Sequence, residues 1–221
     1  MSNNAKPSFN EQLLAYFQQQ PPEQVAQWLV QNIAADKSLK KQWQVKLLLS
    51  SGKPNDFKKL LTQALPKKEL LHTRHLWHKV GLYFDEALTL FELAFEHLDA
   101  SDSPLTNEQQ FTWLMQAFER LNLVLETIDD SGGYRLELVD HLSARLVRAF
   151  HLLDWPLVQK ASWLQEHQFK YDVFPYIPEE FELPEDLLTA YTSLANKKAK
   201  QSEPDNLSMA LLDRLQNKNK H

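Results

Sequence analysis

The chain has 221 residues, no cysteine, four glycines, and 29 acidic against 24 basic side chains, for a net charge of −5. Without cysteine there is no disulfide framework, thiolate zinc site, iron–sulfur cluster or cysteine nucleophile. Glycines at 52, 81, 132 and 133 build neither a dinucleotide-binding fingerprint nor a P-loop, whereas 43% hydrophobic residues are enough to bury a core and exclude wholesale disorder.

The first seven residues are polar and are expected to be disordered. The segment MSNNAKPSFNEQLLAYFQQQ lacks the apolar run and cleavage site of a secretory signal. Nowhere do about 18 apolar residues follow one another, so a cytoplasmic chain without membrane contact is expected, and the Asn206-Leu207-Ser208 sequon has no meaning there.

Ser8 and Glu11 form a capping box ahead of a helix with Phe9, Leu13, Leu14 and Phe17 at helical spacing. Pro21 and Pro22 end it and open the next, whose stripe is Val25, Trp28, Leu29 and Ile33. Asp36 caps a third helix with Leu39, Trp43, Leu47 and Leu48 inward, ended by Ser50-Ser51-Gly52. Pro54-Asn55 opens a fourth, through Leu60, Leu61 and Leu65, that Pro66 closes. A fifth runs from Lys68 to about Val80, where Gly81 is expected to turn the chain into a helix over Asp85–Leu98.

After a loop over Asp99–Pro104, Thr106 and Gln109 form a second capping box before a long helix, Phe111–Ile128. Asp129-Asp130-Ser131-Gly132-Gly133 is the strongest break, with both aspartates expected to cap backbone around two glycines free to take positive φ. A helix through Leu136, Val139, Leu142, Leu146 and Phe150 follows, then one opened by Pro156 with Leu157, Val158, Trp163 and Leu164. Tyr171–Pro184, with three prolines, reads as an ordered non-helical strap before a last helix over Leu187–Leu194. Alternation never persists long enough for a strand, so the fold class is all-α. Residues 8–196 form one expected helical domain, and 197–221 a polar tail whose Leu207–Leu215 stretch reads as a short amphipathic helix. That helix docks either on a partner or back on the chain itself.

Gly81-Leu82-Tyr83-Phe84-Asp85-Glu86-Ala87-Leu88, with Phe91 and Ala94, resembles the turn and second helix of a tetratricopeptide repeat, with one extra residue between Gly81 and Ala87. No second copy follows at a 34-residue offset. Gly81 with Asp85-Glu86-Ala87-Leu88, Asp129-Asp130-Ser131-Gly132, and Trp163-Leu164 with Tyr171-Asp172-Val173-Phe174 carry a wider resemblance. Through them, over roughly residues 24 to 194, the chain resembles a bacterial family of uncharacterised, tetratricopeptide-like all-helical domains that elsewhere can follow SWIM-type zinc fingers. It implies antiparallel helical hairpins stacked into a right-handed array and supplies no activity. Lacking cysteine, this chain has no SWIM module of its own.

The chemistry-bearing clusters are sparse. His72, His75 and His78 rise about 9 Å and rotate by roughly 120° along a helix, poor geometry for one metal even with Glu69. There is no Gly-x-Ser-x-Gly and no His-Glu-x-x-His. The carboxylate pairs Asp129-Asp130 and Glu179-Glu180 fall in loops, where solvent does not drive their pKa values apart. Neither an enzyme nor a cofactor is expected.

Charge is unevenly spread: residues 1–80 carry a net +7, residues 81–192 a net −15 and residues 193–221 a net +3. Lys37, Lys40, Lys41, Lys58, Lys59 and Arg74 therefore form a candidate basic face. These lysines read first as solvated faces of amphipathic helices, next as a surface for an oppositely charged protein or for self-association, and last as one for a nucleic-acid backbone, with Trp43 and Trp77 expected in the core. Taken together, the expectation is a protein-interaction module whose partner is another protein, with an accessory nucleic-acid-binding factor as the second possibility.

Overall fold

The computed structural model of the chain describes residues 7–51, 53–67, 77–99, 103, 105–168, 170–171, 173–175 and 180–201, with side chains to 197. The expected tail helix, His72, His75, Glu69, Arg74 and the helix over 68–76 lie outside the described residues. Among those described the chain is all-helical, without a strand. No helix there is long and apolar enough to cross a membrane. The chain divides into two compact units, Met1–Ser51 and Gly52–His221, where the sequence suggests one domain over 8–196.

The first unit holds α1 (Phe9–Gln18), α2 (Pro22–Ala35) and α3 (Lys37–Leu49). The capping box at α1 forms as expected: Glu11 N–H donates to Ser8 Oγ at 3.3 Å, and Ser8 N–H to Glu11 Oε2 at 2.6 Å. Asp36 caps α3 by accepting from the N–H groups of Ser38 and Leu39 at 2.8 and 2.9 Å. α2 packs on α3, and Phe17 meets Trp28 with ring centroids 5.2 Å apart. Only Val45 and Leu49 of α3 are buried, and neither α1 nor α2 has a buried residue.

The second unit holds α4 (Pro54–Ala64), α5 (Trp77–Leu98), α6 (Asn107–Leu125), α7 (Leu136–His151), α8 (Leu157–His167) and α9 (Glu185–Gln201). Sequence neighbours pair, α4 on α5, α6 on α7 and α8 on α9, while α4 also contacts α6 and α5 contacts α7. Phe57 and Leu60 of α4, Phe84, Ala87 and Phe91 of α5, and Phe118 and Leu121 of α6 are all buried. The end of α4 is tied down twice. Arg120 Nε donates to the Leu65 carbonyl at 2.8 Å, a cation at a helix C-terminus, and the Tyr83 hydroxyl donates to Pro66 O at 2.9 Å. Trp113 Nε1 donates to Phe57 O at 2.8 Å, so its ring is buried without an unmet donor.

Around α8 the core is aromatic. Trp163 lies 5.1 Å from Phe111 and 5.3 Å from Phe150, and Phe181, in the turn over 180–182, meets Phe150 at 5.2 Å. His167 stacks on Trp163 at 4.3 Å, its Nδ1 2.8 Å from Trp163 O. Burial, aided by nearby Lys170 and opposed by the bond to the Trp163 carbonyl and by Glu166 and Glu119, holds the His167 pKa below its ordinary 6.5. In the unfolded chain this imidazole takes up its proton near 6.5, whereas the folded one resists until lower pH. Its contribution is therefore fully present above 6.5 and is lost as pH falls through that value towards the lower folded pKa. Thermal melts from pH 8 to pH 5.5 should show that decline, and His167→Gln should remove this component of it. An identical decline in the variant would assign it to other groups.

Gly81 requires a correction. It lies inside α5, which runs unbroken from Trp77 to Leu98, and does not turn the chain. Flanking Val80, Phe84 and Ala87 are buried on α5, so packing holds the helix through a residue worth about 1 kcal/mol less than alanine. The last helix also extends to Gln201, beyond the expected Leu194.

Candidate interaction surface

Of the five residues singled out as turns, Gly81 and Gly132 lie against the Tyr134 ring, Gly133 lies against Leu136, and Asp129 and Asp130 bind backbone of the turn itself. Asp129 Oδ1 accepts from Ser131 N–H at 3.1 Å. Asp130, whose side chain is 1% exposed, accepts from Tyr134 N–H at 2.8 Å and from Arg135 N–H at 3.2 Å, and pairs with Arg135 Nη1 at 2.6 Å. Gly133 takes φ +73°, as a residue without Cβ does readily. A Cβ on Gly132 would lie 2.4 Å from the Tyr134 ring, and one on Gly81 would lie 3.3 Å from it. The turn thus seats its tyrosine on α5, and Gly81 leaves room for the ring. The aspartates cap backbone as expected, with Asp130 engaged on both carboxylate oxygens.

Gly81→Val should therefore cost about 1–3 kcal/mol through overpacking. The cost should shrink by about 1 kcal/mol when Tyr134→Ala removes the ring, as read by urea denaturation of the four proteins of the cycle. A cost unchanged by Tyr134→Ala would mean that the ring is not what the glycine accommodates.

A cleft of about 450 Å³ lies between α5, α6 and α7, with Phe95, Leu98, Leu114 and Leu152 as apolar lining. Its charged groups are satisfied by one another. Arg145 Nη1 and Nη2 donate to Asp99 Oδ1 and Oδ2 at 2.6 and 2.5 Å, and the guanidinium rests 4.7 Å from the Phe95 ring centroid. Those hydrogen bonds hold the Asp99 carboxyl below its usual range, which makes it a weak base. A groove beside α9 is lined by Glu185, Leu188, Thr189, Thr192, Ser193 and neighbours on that one helix. Among the described residues no three His, Asp or Glu side chains converge to hold a metal ion.

The basic set divides. Lys37, Lys40 and Lys41 lie on α3 in the first unit, Lys58 and Lys59 on α4 in the second, and Arg74 falls outside the described residues. Lys59 Nζ pairs with buried Asp56 at 2.7 Å.

The tryptophans correct the sequence reading. Trp43 is 42% exposed and Trp77 65% exposed, so neither is core. With them outside are Leu39 and Leu47, at 40% and 68%, which the sequence reading places inward. Residues two apart on a helix lie about 200° apart, so burying Val45 turns Trp43 and Leu47 towards solvent. Phe9, Leu13, Leu14 and Tyr16 on α1, and Trp28, Leu29 and Val30 on α2, are exposed as well. Ten large apolar side chains of the first unit thus face solvent. At about 200 Å² for each fully exposed residue, they present on the order of 1,000 Å² of surface.

No protein-family model, no curated protein and no solved structure matches the chain.

Proposed function

We propose that this chain is a non-catalytic protein-interaction module or scaffold of the bacterial cytoplasm, built of tetratricopeptide-like antiparallel hairpins in a right-handed array. The observation that carries the proposal is the apolar surface of the first unit: three helices that bury only Val45 and Leu49 while ten large apolar side chains face water. Scattered exposed leucines are ordinary, but several large apolar side chains exposed on every helix of one unit favour a docking surface. The area is comparable with the roughly 800 Å² that each partner contributes to a standard interface. The hairpin array draws support from the second unit, where α4 meets both α5 and α6 while α7 meets both α5 and α6.

The test is co-purification of the tagged full chain from lysate of its own cells, with and without nuclease, beside a Trp28→Glu/Leu47→Glu variant. A protein that survives nuclease and is lost with the variant supports the proposal. An empty result with the wild type contradicts it. Recovery abolished by nuclease would favour the second reading, an accessory nucleic-acid-binding factor. That reading draws on the exposure of Trp43 beside lysines. It requires steeply salt-dependent binding that disappears when Lys40, Lys41, Lys58 and Lys59 are changed to Glu.

A further inference from the structure

The exposed row on α3 differs from those on α1 and α2 in its surroundings. α3 carries Lys37, Lys40, Lys41 and Lys46 and no acidic residue, whereas α1 and α2 carry Glu11 and Glu23 and no lysine or arginine. At 100° per residue, Leu39, Trp43 and Leu47 fall within about 80° of arc, with Lys40 bordering one edge and Lys46 the other. Lys46 Nζ lies 5.3 Å from the centroid of the Trp43 ring, so its cation sits beside the row. The row rises about 12 Å, a little over two turns. It is an apolar ridge with cations along both edges.

A ridge at i, i+4 and i+8 fits against a helix that presents its own apolar stripe, and lysines at the edges select carboxylates flanking that stripe. We propose that the α3 ridge docks an acidic amphipathic helix of a partner protein. Apolar residues at helical spacing meet Leu39, Trp43 and Leu47, and Asp or Glu beside them face Lys40 and Lys46. The proposal rests on the interaction-module reading and names the chemistry of its partner. Nucleic acid would satisfy the lysines but leave Leu39 and Leu47 against phosphate and sugar. An anionic bilayer would favour cations beside the apolar rows of α1 and α2, where the only charged side chains are acidic.

The test uses two dye-labelled synthetic peptides of about 16 residues, long enough for four helical turns. Both carry leucines at i, i+4, i+7 and i+11. One has glutamates flanking the stripe, and the other has lysines in their place. Anisotropy titration against the full chain should give a dissociation constant at least about tenfold lower for the acidic peptide, with the preference reduced by salt. Leu47→Asp should weaken that binding about tenfold, and Lys40→Glu with Lys46→Glu should reverse the preference, each with an unchanged circular dichroism spectrum. Equal binding of both peptides overturns the acidic partner and leaves the interaction module standing. Failure of the acidic peptide to bind overturns the proposal. So does tighter binding of anionic phospholipid vesicles or an oligonucleotide, lost in the same variants. A dimer that Leu47→Asp dissociates would make a second copy the occupant and overturn it too.

Discussion

Phe150→Ala should destabilise the second unit by about 3–5 kcal/mol, the range for truncating a buried phenylalanine. Phe150 is fully enclosed on α7 and joins residues distant in sequence: Phe111 of α6 at 6.1 Å, Trp163 of α8 at 5.3 Å and Phe181 ahead of α9 at 5.2 Å. The neighbouring rings are anchored by other contacts, so the cavity collapses only in part. Lys160 Nζ also lies 5.7 Å from the ring centroid and loses that face in the variant. Phe150→Leu, which leaves most of the volume filled, should cost distinctly less. Urea denaturation measures both, and a loss below about 1 kcal/mol for Phe150→Ala would contradict this view of the core.

Asp130→Ala should cost about 2–4 kcal/mol, although the residue lies in a turn. Its carboxylate accepts two backbone N–H groups and the Arg135 guanidinium; removing it strands both N–H groups and leaves Arg135 Nη1 only its 3.3 Å bond to the Asp130 carbonyl. Arg135 keeps 31% of its side chain exposed, which holds the penalty below that of a fully buried pair. Asp130→Asn retains an acceptor for one N–H and loses the charge, so it should fall between wild type and alanine. Loosening this turn also unseats Tyr134 from Gly81, and hydrogen exchange should quicken across residues 130–136 in both variants. A loss under 0.5 kcal/mol, the size of an ordinary surface substitution, would show that the turn does not depend on this carboxylate.

Helix punctuation was legible because it is local. Both capping boxes form, at Ser8 with Glu11 and at Thr106 with Gln109. Pro22 and Pro54 stand at the first turns of α2 and α4, and Asp36 caps α3. Gly81 was not legible. A glycine that permits a turn looks the same in sequence as one that makes room for a ring 53 positions later, and only the packing of Tyr134 distinguishes them. The orientation of α3 was hidden for a related reason. With apolar residues at 39, 43, 45, 47, 48 and 49 it carries two stripes, and periodicity does not say which one is buried. The lysines were visible as a basic excess, but composition does not divide α3 from α4, and the boundary at Ser51 does.

If the exposed apolar side chains of α1, α2 and α3 form the binding surface, a bound partner covers the first unit. Hydrogen–deuterium exchange of the full chain, alone and with the protein it co-purifies, tests this most directly. Exchange should slow chiefly in peptides covering residues 7–51, and most along α3. Protection confined to the cleft between α5, α6 and α7, with the first unit unchanged, would contradict it.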